Sequence, residues 1–324
     1  LVAVVLVAGW FLLMTSDYQM LGRHARESVL FSSNLRYLDE SGYFDAASHD
    51  KWLLHTWSLS VEWQFYLLYP LVLLLLARCW PQRRGILAAH LLALLASFAV
   101  CVFLTFSEPS QAFYLLQSRA WELLLGGCVY LLGTRQGLSS RWRGLLEGGG
   151  ILLIAASIAL IDASLAWPGF LALLPTLGAA AVLLACRSGS PWTASVVAQW
   201  LGTRSYSIYL WHWPLVVGLV YFYRQDDPVW VGAGLLASLL LGHLSYVAVE
   251  VPARRWLARR NSLRNAAWLI GCLVVVAVSA QLVRRSGFPE RLPSEVAKVE
   301  GERQNRNPRL KECLRFDAAC TYGG

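Results

Sequence analysis

Long apolar runs separated by short polar ones are the first pattern in this chain. A helix that crosses a bilayer needs about 20 mostly apolar residues. On that scale nine segments stand out: 1–14, 53–77, 86–106, 113–132, 150–166, 170–186, 206–222, 229–249 and 265–283. Trp167-Pro168-Gly169 divides two of them and reads as a tight turn. The pattern predicts an all-α, polytopic transmembrane helix bundle with nine spans. Residues 15–52 read as a long loop with weak helical periodicity from Leu21 to Tyr37, and the polar tail 284–324 reads as a linker.

Composition supports lipid as the solvent. Of 324 residues, 56% are hydrophobic and only 15% charged, with a mean hydropathy of +0.47. A water-soluble domain carries about a quarter charged residues, so this much apolar surface needs lipid to cover it. The net charge of +8 would suit nucleic acid, but the basic residues lie in short clusters between apolar runs and form no phosphate-binding face. The apolar opening Leu1 to Trp10 has no charged flank of the signal-peptide kind, and reads as the interior of a longer protein.

Alternating the loops gives sidedness. One set holds Arg78, Arg83, Arg84, Arg135, Arg141, Arg143, Arg187, Arg204, Arg254, Arg255, Arg259, Arg260 and Arg264, with Glu147 as its loop acid. The short loops of the other set hold Arg224 against Glu108, Asp226 and Asp227. The positive-inside rule puts the arginine-rich set in the cytoplasm. Segment 15–52 and the tail then lie outside, where a disulfide between Cys313 and Cys320 is permitted. The other five cysteines read as apolar fillers, and no spacing suggests a metal site.

Ionisable groups inside a span are costly and usually mark function. The segment Leu53 to Tyr66 is the densest case. At 3.6 residues per turn, His55, Ser58, Glu62 and Tyr66 share one stripe, with Ser60 and Gln64 nearly opposite. An imidazole and a carboxylate on one face, with hydroxyls between, suit a general base or proton relay. The bland alternative is interhelical hydrogen bonding. Arg119 and Glu122, three apart, can pair along their helix ahead of Gly126 and Gly127, either to fix helix positions or to serve the site. Tyr206, Tyr209 and Trp213 form an aromatic stripe on a helix interrupted by Pro214. His212 points away from that stripe with no local partner. Glu250 closes a later span beside Arg254 and Arg255. His90 and His243, alone in apolar runs, read as packing residues.

At these residues the sequence resembles the acyltransferase-3 family of bacterial membrane O-acyltransferases. The resemblance rests on Leu54-His-Thr-Trp-Ser-Leu-Ser-Val-Glu62 with Gln64-Phe-Tyr66, on Ser118-Arg-Ala-Trp-Glu122 with Gly126, on Ser205-Tyr-Ser-Ile-Tyr-Leu-Trp-His-Trp-Pro214, and on Glu250-x-Pro252. Trp63 stands where the family commonly has a second Glu. The resemblance implies transfer of an acetyl group from cytoplasmic acetyl-CoA, or another acyl-CoA, to a hydroxyl of a lipid-linked or surface glycan such as O-antigen, exopolysaccharide or peptidoglycan. It also implies two further spans before residue 1, about eleven in all, the first with a catalytic Arg and His, and an SGNH-type domain beyond the tail.

The expectation is therefore a multi-pass protein of the bacterial inner membrane with a periplasmic tail. Residues 1–283 would form the acyltransferase domain and 284–324 the extracytoplasmic linker. Glu62 and His55 are the expected catalytic residues. Ser58, Ser60, Gln64, Tyr66, Arg119, Glu122, Tyr206 and His212 would line the substrate path, and Trp211, Pro214, Glu250 and Arg254 would anchor the structure. No metal is expected. The competing class is a transporter or flippase of a lipid-linked glycan, which would favour inverted repeats; none is visible.

Overall fold

A computed structural model describes residues 1–303, apart from 43–47, 81, 133–137, 163, 188 and 260–261. Cys313, Cys320, Arg135 and Arg260 therefore lie outside the described residues. Everything regular among those described is helical. The first half of the chain forms α1 (Val2–Leu12), α2 (Thr15–Val29), α3 (Ser33–Glu40), α4 (Thr56–Cys79), α5 (Arg83–Ser107), α6 (Pro109–Tyr114) and α7 (Leu116–Leu132). The second half forms α8 (Ser140–Leu160), α9 (Leu173–Ala185), α10 (Val196–Tyr221), α11 (Pro228–Ser245), α12 (Val251–Ala258), α13 (Ser262–Ser286) and α14 (Ser294–Arg303).

Each of the nine predicted segments coincides with a helix, but among the described residues five helices are long and apolar enough to cross a membrane. These are α4, α5, α8, the continuous run α11–α12, and α13. The others fall short of the predicted count for local reasons. The α1 and α9 helices have 11 and 13 residues, a break at Leu115 separates α6 from the 17-residue α7, and α10 carries the polar motif. On the long helices apolar side chains turn outward, among them Leu67, Leu71, Leu74 and Leu75 on α4 and Leu92, Leu95, Phe103 and Phe106 on α5. That much exposed apolar surface fits a lipid environment.

Two boundaries move from their predicted places. The α8 helix begins at Ser140, ten residues before 150, so Glu147 is in a helix and not in a loop. Its buried carboxylate pairs with Arg187 at 2.9 Å, just beyond α9. Close contact between the two backbones allows this: Gly150 and Gly178 face each other, and a Cβ on either would lie under 3 Å from the other's carbonyl oxygen. The α10 helix also starts early, at Val196, because Ser195 caps it by accepting from the Ala198 amide. Arg204 consequently lies in the helix, bonded to His243 Nδ1 at 2.9 Å and held over the rings of Trp200 and Tyr246.

The segment 15–52 also behaves differently from a loop on the surface. Thr15 and Gln19 meet Gly287, just past α13, while Gly22 sits against Ala280 and Arg284, so α2 runs antiparallel to α13. The turn after α2 then reaches well along α4. Ser33 bonds Ser60 (Oγ–Oγ 2.7 Å), and Gln64 donates to the Phe31 carbonyl at 2.9 Å and to Asn34 at 2.8 Å. Gln64 lies about 12 Å along the axis from the start of α4, at 1.5 Å per residue. Helices α2 and α3 thus form a re-entrant hairpin wedged between α4 and α13. Irregular backbone at such depth is tolerated only where protein satisfies it, and the hydroxyls of Ser28, Ser33, Thr56 and Ser60 form one bonded chain that does so.

Charge closes the hairpin where α3 ends. Glu40 accepts from His24 Nε2 and Arg36 Nε, both at 2.8 Å, and lies 3.7 Å from Lys51 Nζ. Burial works against ionisation of its carboxyl, but the bond and charge of His24, reinforced by Arg36, prevail and hold it at about 2. The start of the tail packs on the same region. Arg291 donates to the carbonyls of Trp10 and Leu13 at the end of α1. Glu300 accepts from the Thr15 and Ser16 amides, at 2.9 and 2.8 Å, at the start of α2. A cation on exposed carbonyls and an anion on exposed amides is the arrangement that helix ends favour.

Candidate active site

The polar stripe of α4 faces α10, and the two helices run antiparallel through paired levels. Just ahead of α4, Trp213 Nε1 donates to the Lys51 carbonyl at 2.9 Å, and the Trp213 ring stacks on His49. One turn deeper, Tyr209 donates its phenolic hydrogen to the His55 carbonyl at 2.6 Å, which leaves Ser58 to donate to the Tyr209 oxygen at 2.6 Å. Deeper again, Glu62 lies within electrostatic reach of Tyr66, Tyr206 and Tyr209.

His212 joins this group. The spacing predicts that it points away from the aromatic stripe, but its ring lies beside Tyr209 and Trp213 of that stripe and meets His55. The two rings lie edge to face with centroids 5.8 Å apart, and Tyr209 stands beside both, at 5.5 Å from His55 and 5.1 Å from His212. His212 Nδ1 bonds the Tyr209 carbonyl. A carbonyl only accepts, so Nδ1 carries the hydrogen and Nε2 of the neutral ring keeps a lone pair. His55 is 5% exposed, and neither ring nitrogen makes a well-formed hydrogen bond among the described residues, although the Leu210 backbone lies near the ring. Glu62 likewise has no hydrogen bond or ion pair among those residues. Polar groups left open in this way, one buried and one half-buried, have capacity for a substrate.

The remaining predicted residues divide by location. Ser60 and Gln64 hold the re-entrant hairpin on the opposite face of α4 and do not reach the histidines. Tyr66 lies one turn past Glu62 and is exposed. Arg119 and Glu122 pair at 3.0 Å on α7, with the guanidinium over the Trp57 ring of α4. Trp211 and Pro214 border an apolar cavity of about 150 Å³ shared with α1, and Pro214 lies inside α10 without ending it. Glu250 accepts from Ser207 at 2.7 Å and pairs with Arg254. Pro252 has no amide to donate, and the helix before it widens into a π turn over Tyr246–Glu250. That turn aims Glu250 at α10. His90 bonds the Leu124 carbonyl at 2.8 Å and His243 bonds Arg204, so both have structural partners.

No group of His, Cys, Asp or Glu suited to a metal occurs among the described residues. The site is instead a hydroxyl, imidazole and carboxylate assembly, suited to proton transfer and acyl chemistry. Sequence reading missed the meeting of His55 and His212, because a ring-to-ring contact across 157 positions has no periodic signal. The available hint was the antiparallel order of two polar helices.

Comparison with known proteins agrees with this chemistry. A family model described as an acyltransferase domain matches residues 2–284. BcsY of Komagataeibacter xylinus, named as a membrane-bound transacylase, is 30% identical over 281 residues, 84% of this chain and 70% of that relative. The peptidoglycan O-acetyltransferase OatA of Listeria monocytogenes is 26% identical over 263 residues, 70% of this chain and 39% of its own. O-acetyltransferase OatA of Staphylococcus aureus is 27% identical over 255 residues, covering 72% and 41%. The chain thus spans about two-fifths of the length of the OatA relatives. No solved structure matches. With the family model covering nearly all of it, and with helices built to cross a bilayer, the chain belongs to this acyltransferase family as a multi-pass membrane member.

Proposed function

We propose that this chain is the membrane part of an O-acyltransferase that moves an acetyl group from acetyl-CoA, on the arginine-rich side, to a glycan hydroxyl on the opposite side. The observation that carries the reading is the meeting of buried His55 with half-buried His212 beside Tyr209, with Glu62 one level deeper. In the reaction, the acceptor oxygen bonds to the carbonyl carbon of the thioester while an imidazole nitrogen takes the hydroxyl proton. Collapse of the tetrahedral intermediate breaks the carbon–sulfur bond, and the departing thiolate takes that proton to leave as thiol. His212, whose open Nε2 is fixed by the Nδ1 bond, suits the base. Glu62 supplies negative charge beside Tyr206 and Tyr209, and Tyr209 and Ser58 fix the backbone at His55. Placed at one end of the helices, the arginines suit the phosphates of a CoA donor.

The relatives named as O-acetyltransferases support the chemistry, and the one named for peptidoglycan supports a glycan acceptor. The proposed placement is the bacterial inner membrane, with the tail on the outer side, a reading supported by the arginine-rich loops. The test is transfer of radiolabelled acetyl from acetyl-CoA to glycan in membranes holding the intact protein, beside the movement of unmodified glycan across the same membranes. Labelled glycan supports the transferase. Movement of glycan without label supports a transporter instead.

A further inference from the structure

A second charged cluster lies where α10 packs on α11, toward the end of these helices that carries the arginines. The two backbones meet closely there: a Cβ on Gly242 would lie 2.8 Å from the Ile208 Cα. That contact brings Arg204 of α10 beside His243 of α11. The Arg204 guanidinium is held between two rings, 4.8 Å from the centroids of both Trp200 and Tyr246. Its Nε donates to His243 Nδ1 at 2.9 Å, and one Nη donates to the Trp200 carbonyl and to Thr203 Oγ1, at 3.1 and 2.9 Å. Because His243 Nδ1 accepts, the neutral ring carries its hydrogen on Nε2. That hydrogen and the two on the second Arg204 Nη meet no acceptor among the described residues.

The charge also has no counter-ion in the protein. Glu250, the carboxylate on the same helical run as His243, is taken by Ser207 and Arg254, and Arg204 pairs with no acid among the described residues. A half-buried cation in that position calls for an anion from outside the chain. The surroundings say which kind. His243 lies about 22 Å along the helix from Pro228, at 1.5 Å per residue. The hydrocarbon layer is about 30 Å thick, so the cluster sits within about two turns of the arginine-bearing boundary, a distance that a long Arg stem bridges. Trp and Tyr are the residues that gather at headgroup level. Leu201, one turn before Arg204, and Leu244, next to His243, are exposed, so acyl chains can lie against them. A basic pocket between helices on this side is the arrangement that takes an anionic lipid headgroup.

We propose that Arg204 and His243, framed by Trp200 and Tyr246, bind the phosphodiester of an anionic phospholipid. The proposal needs the membrane setting of the chain and not its acyltransferase chemistry. Its test is native mass spectrometry of the intact protein in detergent, with phosphatidylglycerol, phosphatidylcholine and CoA offered separately. Wild type is expected to hold phosphatidylglycerol roughly tenfold more tightly than phosphatidylcholine, the scale of one charge-assisted contact. Arg204→Gln should hold the two lipids equally. So should Leu201→Glu, which sets a carboxylate one turn from Arg204 at an exposed position and reads the same charge should Arg204→Gln fail to fold. CoA binding should be unchanged in both variants. Equal binding of the two lipids by wild type, or a preference that survives in either folded variant, overturns the site. A fall in CoA binding that matches the fall for phosphatidylglycerol assigns the cation to the phosphates of CoA and overturns the lipid.

Discussion

His55 and His212 stand ring to ring at 5.8 Å on antiparallel helices, with Tyr209 binding the backbone of the first and bonded through its own backbone to the second. One tyrosine thus sets the separation of two imidazoles. The pair should act as a unit: His55→Ala and His212→Ala are each expected to lower acetyl transfer about 100-fold or more, in the range of lost acid–base catalysis. The double variant should be little worse than either single one. Initial rates in membranes, normalised to protein level, measure this; losses that simply multiply would show independent roles.

Tyr209→Phe isolates the hydroxyl. It removes the bonds to the His55 carbonyl and to Ser58 while keeping the ring between the histidines. We expect a loss of about 1 kcal/mol in stability, the scale of such bonds in helical membrane proteins. Transfer should fall less than in His55→Ala. Thermal unfolding in detergent reads the first, and the transfer assay reads the second.

Glu40 makes the closure of the hairpin sensitive to acid. Its folded carboxyl sits at about 2, below the ordinary value of 4.5. A depressed carboxyl contributes stability that is fully present above the ordinary value and fades as pH falls toward the folded one. Wild type should therefore lose thermal stability between about pH 4.5 and pH 2. Glu40→Gln should start less stable and show a flatter profile across that window. Parallel profiles for the two proteins would rule out this role for Glu40.

Arg291 and Glu300 fasten the start of the tail to the α1–α2 corner. Replacing either with Ala should cost about 1–3 kcal/mol, the range for hydrogen bonds to charged groups. It should also expose residues 287–303 to proteolysis. Limited digestion followed by mass mapping would reveal the new cleavage, and an unchanged digestion pattern would show that the tail is held by other contacts.

Much of this was legible from spacing because lipid imposes simple rules. Apolar runs located the five helices that are long enough to cross a membrane among the described residues, and the stripe His55–Ser58–Glu62 fell on the face that meets α10. Boundaries were less legible. The helix α8 starts at Ser140 because Glu147, a nominal loop acid, finds Arg187 and can be buried. Gln64 and Ser60 were grouped with the substrate path because polarity alone cannot separate a residue facing a ligand from one holding a hairpin. Their partners, Phe31, Ser33 and Asn34, lie in a segment whose weak periodicity read as a loop. The bond between Arg204 and His243 joins two helices across 39 positions and leaves no local pattern.

The central claim is that acyl transfer takes place where the stripe of α4 meets α10. Glu62→Gln changes that place with the least disturbance, since it preserves shape and removes only the carboxylate charge beside Tyr206 and Tyr209. Transfer of radiolabelled acetyl from acetyl-CoA to glycan, measured in membranes with intact wild-type or Glu62→Gln protein at equal levels, tests it most directly. The account predicts a fall of about 100-fold or more with expression unchanged; transfer at the wild-type rate would contradict it.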